Sequence, residues 1–214
     1  MTKQMLDAHD CAAVLARQEQ RQCAAQAIME RLSPLDRWKA LGEPYLCGAM
    51  SYGLLVKPDI DIEVFGELRI EAGFALMGEW ARDSAVRRIQ FLNAIGETDA
   101  GLGWELGYQY GEQRWNVQMW LLPEDYPGPR SVDLVEPMLA ALTPRTRCAI
   151  LRIKEALLRS GIRYQSIDLY RAVIEDGVAD AHEYERWCWT NSSVGLVDWR
   201  PDSPTAASQP HDHI

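Results

Sequence analysis

An α+β fold is what this sequence predicts, with one sheet layer in the middle of the chain and helices on both sides of it. Three observations predict it. Strand signals concentrate between positions 44 and 125, led by Asp59-Ile60-Asp61-Ile62-Glu63-Val64-Phe65, where charged and apolar residues alternate with the period of two of a half-buried strand. One helical pattern is set among these strands. Helix start and stop signals dominate the chain before and after them.

The elements follow in order. Residues 8 to 42 read as helical, with Val14, Leu15, Ala25, Ile28 and Leu32 marking an apolar stripe. Ser33-Pro34 reads as an N-cap with proline in the first turn, opening a short second helix that Gly42 can end. Tyr45-Leu46-Cys47 should be the first strand and Asp59 to Phe65 the second. A helix fits Ile70 to Ala85, with Phe74, Met77 and Ala81 near one face. Arg88 to Leu92, Trp104 to Tyr110 and Trp115 to Leu122 are three more strands, the last two joined by a hairpin turn at Gly111-Glu112-Gln113-Arg114.

Pro123 to Pro129 holds three prolines and a glycine and reads as a linker. Beyond it the character is helical. Thr143-Pro144 opens a helix through Ile150, Ile153 and Leu157 that Gly161 bounds, Ser166 to Glu175 stops at Gly177, and Asp180-Ala181-His182-Glu183 reads as a capping box through Trp187. The expected organisation is therefore a helical segment 1–43, a core 44–125, a helical subdomain 126–200 and a disordered tail 201–214, where His211 and His213 fall.

Composition narrows the function classes. The chain has 214 residues, 47% apolar and 25% charged, with a formal net charge of −9, which is ordinary for a soluble protein. That charge argues against non-specific binding to nucleic-acid backbones, and Arg87-Arg88 is only a local basic pair whose two side chains would face opposite ways on a strand. No apolar run approaches the roughly eighteen residues of a membrane span, so no membrane role is expected, and the N-terminus lacks a signal-peptide core. Five cysteines without a Cys-x-x-Cys pair fit free thiols in a cytoplasmic protein. His182, early in its helix, reads as structural.

The chemistry sits at one place. On a strand Asp59, Asp61 and Glu63 share a face while Ile60, Ile62 and Val64 take the buried one. Two carboxylates held side by side suit a hard cation such as Mg²⁺ beside a triphosphate. Nine residues separate Gly48-Ala49 from Asp59, and Gly53 lies five after Gly48.

This arrangement resembles the nucleotidyltransferase superfamily, whose fold is of the DNA polymerase β palm type and whose signature is a Gly-Ser pair, a spacer of this size and Asp-hydrophobic-Asp. Ser166 to Val178 also resembles the helical region that follows the core in small bacterial members, so the resemblance covers roughly residues 44 to 190. It implies a mixed sheet and a cleft in which Mg²⁺ and an NTP meet a hydroxyl of a small molecule or protein. Asp59 and Asp61 would bind the metal. Gly48, Ala49, Ser51, Gly53, Lys57 and Lys154 would be the nucleotide-binding positions. Lys154 has two readings, a phosphate-binding lysine facing the cleft or a residue on an exposed helix face.

The motif is degenerate in two places. Ala49 stands where the family has serine, although Ser51 offers a hydroxyl nearby. The family's third carboxylate belongs in a Trp-x-x-Asp-x-Trp setting, which here is Trp115-Asn116-Val117-Gln118-Met119-Trp120, so Gln118 takes that catalytic position. An amide is a weaker Mg²⁺ ligand than a carboxylate and no general base. Glu63 and Glu105 are the alternative donors, and Trp80, Trp104 and Trp120 the candidates for stacking a base. The leading expectation is a nucleotidyltransferase-like protein that transfers an NMP from an NTP if active, with Asp59 and Asp61 for one metal. The alternative is a catalytically impaired nucleotide- and Mg²⁺-binding module or an interaction scaffold on the same fold.

Overall fold

A computed structural model of the chain describes residues 3–98 and 100–202. The expected tail, with His211 and His213, lies beyond Asp202 outside the described residues. Eight α-helices and five strands run in the order α1 (Lys3–Leu32), α2 (Pro34–Trp38), β1 (Gly42–Cys47), α3 (Gly48–Tyr52), β2 (Asp59–Gly66), α4 (Ile70–Trp80), β3 (Val86–Asn93), β4 (Leu102–Tyr110), β5 (Gln113–Leu122), α5 (Val135–Ala141), α6 (Pro144–Arg159), α7 (Ser166–Ile174) and α8 (Ala181–Asn191). A single 3₁₀ turn, Ser131–Leu134, precedes α5.

The sheet is mixed, as the α+β expectation requires, with strand order β1-β2-β5-β4-β3. β2 and β5 are parallel and every other neighbour pair is antiparallel. One face carries Ile60, Ile62, Val64, Leu102, Trp104, Leu106, Val117, Met119 and Leu121, all buried under α4, α2 and the C-terminal half of α1. Gly73 of α4 lies so close to the Trp104 indole that a Cβ would overlap the ring. The opposite face is the floor of a cleft. A second core, built on Val14 of α1, Tyr52, Leu54 and Val56, and the inner faces of α5 to α8, stands over that floor. α1, 30 residues long and so roughly 45 Å, belongs to both cores.

Several local expectations change. Ser33 makes no side-chain cap for α2; it ends α1 instead, in the left-handed region, its N–H donating to the Met29 carbonyl at 2.8 Å and its hydroxyl to Glu30 at 3.0 Å. Gly42 opens β1 rather than closing a helix, because it pairs in register with Gly66. α4 stops at Trp80, whose indole N–H donates to Leu32 at 3.0 Å. The caps at Thr143 and Asp180 form, with Thr146 N–H and Glu183 N–H donating to them at 3.1 and 2.9 Å. The box expected at Asp180 is not closed, because the Glu183 carboxylate accepts from the Ala179 N–H at 2.9 Å instead of from Asp180. Free thiols were expected throughout, yet Cys11 and Cys148 are disulfide-bonded with Cα atoms 5.7 Å apart, because α6 packs along α1. Cys23, Cys47 and Cys188 are free.

Candidate active site

The cleft encloses about 470 Å³ between the open face of the sheet and the helical layer. Asp59, Asp61 and Glu63 point into it from β2, because alternation sends Ile60, Ile62 and Val64 to the core. In the parallel pairing Asp59 sits beside Asn116, Asp61 beside Gln118 and Glu63 beside Trp120. Gln118 therefore stands next to Asp61 on the same face, and both line the cleft.

The carboxylates feel their surroundings. Burial, then the neighbouring Asp59, pushes the Asp61 carboxyl up to about 6. Burial also raises Asp59. Lys154 faces them from α6. It is only 3% exposed, which overturns the reading of an exposed helix face. Its Nζ donates to the Leu54 carbonyl and the Tyr170 hydroxyl, both at 3.1 Å, and burial lowers it to about 8 against the pull of Asp61 and Asp59. The site thus holds a buried cation opposite two half-buried carboxylates, with space between the sheet and the helices.

Gly48 leads from β1 into α3 with φ of +66°, and a Cβ there would overlap Asp61 Oδ2. The position needs glycine for both reasons. Gly48 and Ala49 line the cleft beside Asp61. Ser51 and Gly53 do not. The Ser51 hydroxyl donates back to the Gly48 carbonyl at 2.7 Å, so it is spent inside the short helix. Gly53, at φ of +66°, ends α3, and its carbonyl accepts from Arg147 at 2.8 Å. Lys57 lines the cleft rim with Nζ 5.2 Å from the Tyr164 ring centre.

Neither alternative third carboxylate is available. Glu63 accepts from the Ser131 and Val132 N–H groups at 3.0 and 3.1 Å, tying β2 to the 3₁₀ turn. Glu105 is paired with Arg88, and Arg87 and Arg88 do not line the cleft. Trp80 and Trp104 are buried in the sheet core, which removes them as base-stacking candidates. Trp120 alone of the three lines the cleft, lying over Gly103.

Two features of the cleft had no sequence signal. Residues Gly195 to Arg200 form part of its wall, held by Trp199 Nε1–H donating to Glu175 at 2.6 Å and by Arg200 paired with Asp133 at 3.1 Å. Arg130 reaches across from the linker to stack on Phe65, with its Cζ 3.8 Å from the ring centre.

Mg²⁺ takes oxygen ligands and is usually held by one or two carboxylates plus substrate phosphates. The Asp59–Asp61 pair fits one such ion, since a cation would relieve two neighbouring, half-buried like charges. Among the described residues no cluster of three or more His, Cys, Asp or Glu could hold a metal, so the donors do not fit a second ion. No helix among these residues is long and apolar enough to cross a membrane.

No family model and no curated protein matches the chain. Its fold is similar to that of several solved structures. The non canonical Poly(A) polymerase complex GLD-2 – GLD-3 matches at 11% identity and a TM-score of 0.58, over 81% of this chain and 58% of that one. A cytoplasmic RNA terminal U-transferase matches at 15% and 0.56, over 76% and 51%. Cid1, an RNA terminal uridylyl transferase, matches at 15% and 0.53, over 76% and 50%. The chain spans a little over half the length of these structures, and at such identities the likeness is one of fold.

Proposed function

The chain has the fold of the nucleotidyltransferase superfamily, and from that premise we propose that its cleft binds a nucleoside triphosphate with one Mg²⁺ and transfers its nucleotidyl group slowly, if a competent acceptor is present. The observation that carries this reading is the register Asp61 beside Gln118: two half-buried carboxylates facing a cleft, with an amide where a third would stand.

Asp59 and Asp61 hold the cation that accompanies the phosphates. When bound, Mg²⁺ neutralises phosphate charge and polarises the phosphoryl group as a Lewis acid. Gly48 and Ala49 bring backbone against the phosphates without a side-chain hydroxyl. Lys154 supplies positive charge from the opposite wall, and Lys57 from the rim. In transfer, the acceptor hydroxyl oxygen bonds to the α-phosphorus, the bond to the β-phosphate oxygen breaks and pyrophosphate leaves. The hydroxyl proton then has no basic partner at Gln118 and passes to water. Positioning and charge supply most of the rate in this chemistry, so the missing carboxylate slows transfer more than it weakens binding.

Small-molecule and protein hydroxyls are the acceptors implied by the family resemblance. The neighbours named for RNA terminal transfer give no support to the expectation, drawn from net charge, that nucleic acid is an unlikely partner, and an RNA end belongs among the acceptors assayed. Calorimetry with Mg·ATP and Mg·GTP tests the reading. Binding that requires Mg²⁺ and is lost in Asp59→Asn is expected, and the absence of both heat and thermal shift would overturn it. Incorporation from labelled NTP that persists in Asp59→Asn would exclude this metal site.

A further inference from the structure

The cleft has two ends along β2. Lys57 and Lys154 stand at the Asp59 end and fit the triphosphate. At the other end, around Glu63, the floor is Trp120 beside it and the wall is Arg130. Arg130 is a cleft-lining cation with no carboxylate paired to it among the described residues. Its Nε is buried without a hydrogen-bond partner. Its guanidinium lies on Phe65, which fixes the plane of its N–H groups. The adjacent carboxylates are occupied elsewhere: Glu63 by the Ser131 and Val132 amides, and Asp133 by Arg200.

We propose that this end of the cleft is the acceptor subsite and that Arg130 recognises a phosphate group on the acceptor, with Trp120 as an apolar platform for the part between. The inference rests on the reading that Asp59 and Asp61 mark the reacting end. A buried donor left unmet costs stability, and a half-buried, ring-stacked arginine presents the remaining N–H groups of its guanidinium in a fixed plane that suits a phosphate better than any neutral group. Asp61 and Phe65 are four residues apart on one strand face, roughly 13 Å. The acceptor is thus a compound with its hydroxyl and its phosphate separated by about one to two sugar units, either a small sugar phosphate or an RNA end.

Calorimetry on the full chain separates these sources, using ribose 5-phosphate, ribose and an RNA trinucleotide as probes, each with and without a saturating non-hydrolysable Mg·ATP analogue. At least one phosphate-bearing probe is expected to bind, ribose is not, and Arg130→Gln should weaken that probe by about tenfold or more while leaving Mg·ATP affinity within about twofold. Arg130→Lys, which keeps the charge but loses the fork, should fall between. It also serves as the readout should Arg130→Gln fail to fold, as judged by its melting transition. Equal affinity of a probe for wild type and variant, binding of ribose as strong as ribose 5-phosphate, no binding of either phosphate probe, or a parallel loss of Mg·ATP would each overturn the proposal. Wild type that binds a phosphate probe but no Mg·ATP would instead overturn the nucleotide reading.

Discussion

At the scale of single residues the site turns on one amide. Gln118 lies beside Asp61 in register, so Gln118→Asp places a third carboxylate on the same face with no change of backbone. This substitution is expected to raise incorporation from labelled NTP by about tenfold or more; a rate at or below wild type would show that Gln118 is not what limits transfer. Gly48→Ala should do the reverse, because a Cβ there meets the Asp61 carboxylate and the position has positive φ. Mg·ATP affinity is expected to fall by about tenfold, with a stability cost of about 1–3 kcal/mol in a denaturant titration. Strand alternation made Asp59 and Asp61 legible in the sequence, and the bracketing tryptophans did the same for Gln118. Burial of Lys154 was not legible, since a helical pattern reports which residues are apolar and not whether a lysine stem crosses a core. Nor was Arg130, whose setting depends on Phe65 from a distant strand. Ser51 misled because the sequence cannot reveal that its hydroxyl turns back to Gly48.

Among the elements, the contact of α1 with α6 is the most informative. Glu155 of α6 accepts from Arg17 at 2.9 and 2.6 Å and from Arg21 at 3.3 Å. The Arg17 hydrogen bond and charge, helped by Arg21, hold its carboxyl below the usual range despite burial. A carboxyl lowered in the folded state adds stability above its unfolded pKa and loses it as pH falls through the folded one. Glu155→Gln should therefore cost about 1–2 kcal/mol near pH 7, discounted because Arg17 is partly exposed. In pH-resolved thermal melts the gap from wild type should close towards pH 3, and a gap independent of pH would rule out the ion pair as its source. Caps at Thr143 and Asp180 were legible because their chemistry is local. The end of α1 at Ser33 was not, since the same Ser-Pro pair serves one helix's start or another's stop. The segment that lines the cleft after α8 carried no local pattern.

For the whole molecule, the disulfide closes Cys11 to Cys148 across 137 positions. Such a long loop in the unfolded chain is constrained strongly, and Cys148→Ser is expected to cost about 2–4 kcal/mol under oxidising conditions. Thiol titration of the denatured, unreduced protein should count three of the five cysteines; five would mean that the bridge does not form. This pairing was invisible in the sequence because it depends on how two distant helices pack. The sheet layer was visible, since five short alternating runs surround one helix, while its mixed character followed only from the family resemblance.

α1 runs through both cores, giving Val14 to the helical layer and Ala25, Ile28 and Leu32 to the sheet layer. One continuous helix anchored in both walls acts as a splint. The cleft is then a slot of fixed width and not a pair of jaws, and a ligand must enter along its open side. Its walls have no hinge to swing on without bending α1 or pulling a core apart. Saturating Mg·ATP should accordingly leave the radius of gyration in X-ray solution scattering unchanged, and a measurable contraction would mean that the splint gives way.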